Sequence, residues 1–213
     1  MLNVYWADIS NLSLSVDALL LSEYRANRLE KIKSEQKKRQ SLGAELLLIH
    51  ALRELYPEIK LPLEIKCSEK GKPYLESIPV HFSLSHSGDY AACAVSDAPV
   101  GMDIEHDVKA RETISNRFFS PEEQNILLSA ENKDLAFARI WTAKESALKL
   151  LGTGLAGGLS SITVYDNNTI KSDSKMLQLH QFTYGTLCFS LCTENKHKQV
   201  QINKIELKTT TLL

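Results

Sequence analysis

Two acids on one short segment and a third on another are, by type and spacing, the residues of this 213-residue chain most suited to chemistry. In Val100-Gly101-Met102-Asp103-Ile104-Glu105, the apolar Val100, Met102 and Ile104 alternate with Gly101, Asp103 and Glu105. A strand's period of two puts both carboxylates on one face and the apolar set on the other. Two close carboxylates repel each other, and a cation between them relieves the repulsion. Ligands that are all oxygen favour Mg²⁺ or Mn²⁺ over softer metals. Asp-x-Glu is also common at solvated strand ends, and taken alone the pair is better read that way. In Trp141-Thr142-Ala143-Lys144-Glu145-Ser146-Ala147-Leu148-Lys149, helical spacing gathers Trp141, Glu145, Leu148 and Lys149 on one face. Glu145 and Lys149 stand one turn apart, in the favourable order for a surface ion pair. Trp141 on the same face argues for partial burial, where Glu145 supplies a third metal ligand and Lys149 a phosphate-binding cation.

Three further motifs need sorting. In Phe82-Ser83-Leu84-Ser85-His86-Ser87-Gly88, His86 falls where a strand reaches a turn. A lone histidine is more often structural, yet one among hydroxyls at a strand end can donate to phosphate oxygens. Ser85 beside His86 is no nucleophile–base pair, and no glycine elbow surrounds it, so a serine hydrolase is set aside. Phe118-Phe119-Ser120-Pro121-Glu122-Glu123 carries Ser-x-x-Glu with proline at the first helical position, a capping box that accounts for Glu123 without catalysis. Gly152-Thr153-Gly154-Leu155-Ala156-Gly157 matches G-x-G-x-x-G but follows a helix, whereas a dinucleotide fingerprint follows a strand. Helix termination explains it better.

The bulk properties exclude some partners. Hydrophobic residues make up 43% of the chain and charged ones 24%, as in ordinary globular proteins. A formal net charge of -1 offers no global field for nucleic acid. Arg25, Arg28, Lys31, Lys33, Lys37, Lys38 and Arg39 nevertheless form a basic segment, whose plain reading is a solvated helix face. Cys67, Cys93, Cys188 and Cys192 have no metal-site spacing and read as reduced thiols of a cytoplasmic protein. The first ten residues do not read as a signal peptide. No apolar run approaches the roughly 18 residues of a membrane span.

These residues need elements to hold them. Residues 2–9 read as a strand, a helix starts near Ser22, and a second runs from Ser34 to Leu55 with Leu42, Leu46, Ile49, Leu52 and Leu55 on one face. Leu63, Ile65 and Cys67 alternate before a turn at Glu69–Pro73. Val80–Ser85 and Tyr90–Ser96 read as strands joined around His86–Asp89, and Val100–Glu105 as another. Helices follow from Ser120 and from Asp134 to Leu151, then short strands. The predicted fold is α+β, two similar halves packed as an intramolecular pseudo-dimer, with boundaries at 1–99 and 100–213.

In this order and separation, Gly71-Lys72-Pro73 and the segments 82–87, 100–105, 118–123 and 141–149 resemble the phosphopantetheinyl transferases, of the large pseudo-dimeric type that activates the surfactin synthetase. The resemblance covers roughly residues 20–155. It implies that Asp103, Glu105 and Glu145 hold Mg²⁺ and that Lys149, His86 and the adjacent Ser85 meet the coenzyme A phosphates. It implies that Arg39 lies near the 3′-phosphate, with Arg25 and Arg28 as two further basic positions. Lys72 would lie along the adenine nucleotide. The activity implied moves the phosphopantetheine arm of coenzyme A onto a serine of an apo acyl or peptidyl carrier protein, releasing adenosine 3′,5′-bisphosphate, in a monomer.

The chemistry suits these residues. Attack of the serine on the β-phosphorus spreads negative charge over phosphoryl oxygens, so cations and positioning do most of the work. Glu145, Glu123 and a metal-bound water are the candidate acceptors of the serine proton, with Glu145 ahead because capping occupies Glu123. A metal-dependent phosphohydrolase on the same three acids, and a binding module without turnover, are the alternatives.

Overall fold

The computed structural model describes residues 1–154, 158–165, 169–172, 175–195 and 199–207. The chain divides into two α+β units, the first comprising Met1–Ala98 and the chain's end, the second Pro99–Lys196.

In the first unit, β1 (Leu2–Asp8) leads to α1 (Glu23–Lys31) and α2 (Glu35–Leu55). Both helices start where a serine accepts from the third helical amide, Ser22 from Arg25 and Ser34 from Lys37. α2 buries Leu42, Leu46, Ile49 and Leu52, as the periodicity predicts. β2 (Ile65–Cys67) and β3 (Pro73–Leu75) form a small antiparallel ladder. β4 (His81–Ser87) and β5 (Tyr90–Ser96) pair as a hairpin. That hairpin corrects the predicted turn at His86–Asp89: β4 continues through Ser87, leaving only Gly88 and Asp89 in a two-residue loop. β5 also pairs antiparallel with β1, and α2 packs on the sheet.

The second unit repeats this order. β6 (Val100–His106) leads to α3 (Glu112–Phe118), α4 (Pro121–Ser129) and α5 (Lys133–Leu151). After β7 (Ile162–Val164) and β8 (Thr169–Ser172) comes an antiparallel pair, β9 (Met176–Tyr184) and β10 (Leu187–Thr193), and β10 pairs antiparallel with β6. A strand, then helices, then an antiparallel pair whose second strand returns to the first is thus the plan of each half. The helix over Glu112–Phe118 went unread in the sequence because no side chain caps it. The last strand, β11 (Gln201–Lys204), runs parallel to β1. β11 therefore groups with the first unit, where the expected boundary of 100–213 puts it with the second. α5 ends at Gly152, which takes the left-handed conformation at φ 65° that closes a helix. Leu155–Gly157 of the glycine motif lie outside the described residues.

Among the described residues, no helix is long and apolar enough to cross a membrane.

Candidate active site

β6 and α5 build the site of the second unit. Gly101, Asp103 and Glu105 alternate along β6 on the face toward α5. A Cβ on Gly101 would stand 2.9 Å from Leu150 Cα and nearer still to Ser146 O and Leu150 N, all helix backbone. Only glycine lets the helix lie this close. Two residues on, Lys149 Nζ donates to Asp103 Oδ1 at 2.8 Å. Asp103 is buried, at 6% exposure, while Glu105 is half-buried.

Glu145 is held beside them. Its carboxyl is pushed up to about 7, first by burial and then by the charge of Asp103, against the pull of Lys149 and with a further push from Glu105. Glu145 thus feels the charges of both Asp103 and Glu105. Their donors are all oxygen, which suits Mg²⁺ or Mn²⁺. Among the described residues, though, no group of three or more His, Cys, Asp or Glu side chains is drawn close enough to hold a metal. In the arrangement present it is the Lys149 ammonium that neutralises Asp103.

Behind Asp103, its ladder partner Ser190 sits in a buried polar chain. Ser190 Oγ lies 2.7 Å from Thr142 Oγ1 and accepts from Gln181 Nε2 at 2.8 Å, and Thr142 donates back to Ala138 O at 2.8 Å. These bonds link α5 to β10 and β9 without using the carboxylates.

Glu123 forms the predicted capping box, accepting from Ser120 N at 2.7 Å on Oε2. It does more: Oε1 accepts from Val164 N at 2.7 Å and Oε2 pairs with Lys144 Nζ at 2.8 Å, with Glu123 and Lys144 both fully buried. Lys144 is the residue that the sequence reading passed over. The signal was there, since Lys144 stands at helical spacing among Ile140, Ala147 and Leu148, on an apolar face.

The first-unit candidates scatter by environment. Arg25 lies inside rather than on a solvated face: at 5% exposure it donates from Nε to Glu45 Oε2 at 2.9 Å and from Nη1 to Ser41 Oγ at 2.6 Å. Glu45 also takes Ser22 N and Oγ, so the pair braces α1 on α2. Arg28 is exposed. Arg39 is half-buried, with Nε on Leu12 O at 3.2 Å and Nη2 on Glu35 at 3.2 Å. Lys72 follows the 68–71 turn, and burial pulls its ammonium below the usual range. Ser85 is buried and His86 exposed, because neighbours on a strand face opposite ways.

Residues 99–201 match the family described as the 4'-phosphopantetheinyl transferase superfamily. The 4'-phosphopantetheinyl transferase psf-1 of Bacillus pumilus is 44% identical over 131 residues, which are 59% of this chain and 55% of that protein. The 4'-phosphopantetheinyl transferase Sfp of Bacillus subtilis (strain 168) is 33% identical over 127 residues, 58% of this chain and 57% of that one. The chain thus spans little more than half the length of these two relatives. AcpT of Salmonella typhi, also named a 4'-phosphopantetheinyl transferase, is 35% identical over 160 residues, 71% of this chain and 74% of the relative. At that identity and coverage, the chain belongs to the 4'-phosphopantetheinyl transferase superfamily. A solved structure, the holo-[acyl-carrier-protein] synthase of Thermotoga maritima, matches 47% of this chain and 65% of its own with a TM-score of 0.35 and 20% identity, too loosely to carry an argument. The family match contains Asp103, Glu105, Glu123, Glu145 and Lys149, whereas Arg25, Arg28, Arg39, Lys72, Ser85 and His86 precede it.

Proposed function

We propose that the protein transfers the 4'-phosphopantetheine arm of coenzyme A to a serine of an apo acyl or peptidyl carrier protein. The observation that carries this reading is Glu145 within electrostatic reach of Asp103, Glu105 and Lys149, inside the part of the chain that matches the family.

Asp103, Glu105 and Glu145 are the residues that would hold Mg²⁺. Bound there, the ion would offset charge on the pyrophosphate of coenzyme A. Lys149, on the rim of the cluster, is a cation able to exchange its carboxylate partner for a phosphoryl oxygen. Of the two candidate carboxylates, Glu145 reads best as the acceptor of the serine proton, because it stands beside Asp103 and Lys149. Glu123 is not suited to that task, because Ser120, Val164 and Lys144 already engage its two oxygens. In the first unit the polyanionic cosubstrate would be met by Arg28, Arg39, Lys72 and His86, with Arg25 supporting them from inside.

Four free cysteines, three of them buried, favour a reducing compartment and so the cytoplasm. With both similar halves in one chain, a monomer is expected to act alone.

Incubation with coenzyme A, Mg²⁺ and an apo carrier tests the reading. One phosphopantetheine gained on the carrier serine is expected. Coenzyme A hydrolysed without any carrier adduct would favour a phosphohydrolase instead.

A further inference from the structure

We infer that the buried pair Lys144–Glu123 is a positioning device for the carboxylate site, fixing the roll of α5 so that Glu145 and Lys149 face β6. The inference rests on the transferase reading for what the site does, and on geometry for how it is held.

Lys144 and Glu123 have no exposed surface. The Lys144 ammonium pairs with Glu123 Oε2 at 2.8 Å, donates to Leu159 O at 3.2 Å and donates to Ile162 O. Glu123 in turn accepts from Ser120 N and Val164 N. One ion pair therefore ties α5 to the first turn of α4, to the 159–161 turn and to β7. The Phe119 ring closes over it, with its centroid 5.9 Å from the ammonium.

Helical residues step by about 100°, so Glu145 lies about 100° and Lys149 about 140° around the axis from Lys144. A side chain clamped by three oxygens at Lys144 sets where both of them point. The surrounding face of α5, with Ile140, Ala143, Ala147 and Leu148, would accept an apolar side chain at 144. Such a residue would pack without preferring one rotation as sharply. A buried ion pair is a weak way to gain stability, since apolar replacement of both partners is often neutral or better. Directional hydrogen bonds are what the pair adds. The same design recurs in the first unit, where buried Glu45 and Arg25 tie α2 to the N-cap of α1.

The test replaces both partners, so that no uncompensated charge is left inside. Glu123→Leu/Lys144→Met is compared with the parent by thermal melting, Mn²⁺ binding calorimetry, carrier-modification kinetics and crystal structure. The expected variant folds but melts below the parent, because Ser120 N and Val164 N lose their acceptor; it binds Mn²⁺ at least about tenfold more weakly, as loss of groups orienting metal ligands does, and has lost the Lys149–Asp103 contact. Glu123→Leu/Lys144→Leu serves if the first variant does not fold. Parent-like Mn²⁺ binding with the Lys149–Asp103 contact intact would overturn the inference. So would failure of both double variants to fold, because the pair would then hold the fold rather than the site. Failure of the transferase reading looks different: the parent itself modifies no carrier, while the Lys149–Asp103 distance in the variant still reports the roll of α5.

Discussion

Gly101→Ala adds one methyl group where the helix touches the strand. The new Cβ would stand 2.9 Å from Leu150 Cα, where ordinary contacts begin at 3.4 Å, and closer to Ser146 O and Leu150 N. Those atoms are backbone, so no side-chain rotation relieves the clash. β6 and α5 must part by on the order of 1 Å, and overpacking of this kind costs about 1–3 kcal/mol. Asp103 lies two residues along β6, and Lys149 sits one residue before Leu150 on α5. Their 2.8 Å contact should open with the gap. Displacement of reacting groups by about 1 Å can cost about 100-fold in rate. Melting and carrier-modification kinetics on the same preparation are the assay. The expected variant folds with a lowered melting temperature and loses far more turnover than stability. A variant with parental turnover and melting would refute the argument that this glycine sets the helix–strand distance.

Glu145 predicts a pH dependence. Its carboxyl lies at about 7, against an ordinary 4.5, so between those values the folded chain keeps a proton that the unfolded chain has released. Stability without metal should therefore fall as pH rises through this window and level off above it. At pH 8, Glu145→Gln should melt higher than the parent by the equivalent of about 1–2 kcal/mol, after allowance for solvent at a partly exposed group; an unchanged profile would count against the buried-acid account. Arg25→Ala should destabilise by about 3–5 kcal/mol by stranding the Glu45 charge, whereas Arg39→Ala should melt like the parent and raise the KM for coenzyme A, both read by melting and initial rates. Asp103→Ala should retain the fold and lose Mg²⁺-dependent turnover, measured by melting and carrier mass; full activity would remove Asp103 from the site.

What the sequence made legible was local. Serines 22, 34 and 120 announced three helix starts because a capping side chain and the amide it serves are three residues apart. The alternation through Asp103 and Glu105 announced β6, whose face follows from a period of two. Pairings between distant segments were not legible. Arg25 read as a member of a basic surface because its partner, Glu45, is twenty residues away on another helix. The return of β11 to β1 carries no local mark, since parallel pairing depends on a strand edge almost two hundred residues upstream. α3 lacks a side-chain cap, so its start was silent. Lys144 differs, for a lysine on an apolar helical face is visible in the sequence; its role became clear only when Glu123 and the carbonyls of Leu159 and Ile162 were found around it.

The central claim is group transfer, and the mass of an apo carrier protein tests it most directly. The protein, coenzyme A and Mg²⁺ are incubated with the carrier, and the intact mass and the modified residue are read by mass spectrometry. One added phosphopantetheine on a single serine is expected, with adenosine 3′,5′-bisphosphate released in equal amount and both lost when Mg²⁺ is chelated. An unmodified carrier beside hydrolysed coenzyme A, across acyl and peptidyl carriers alike, would contradict it.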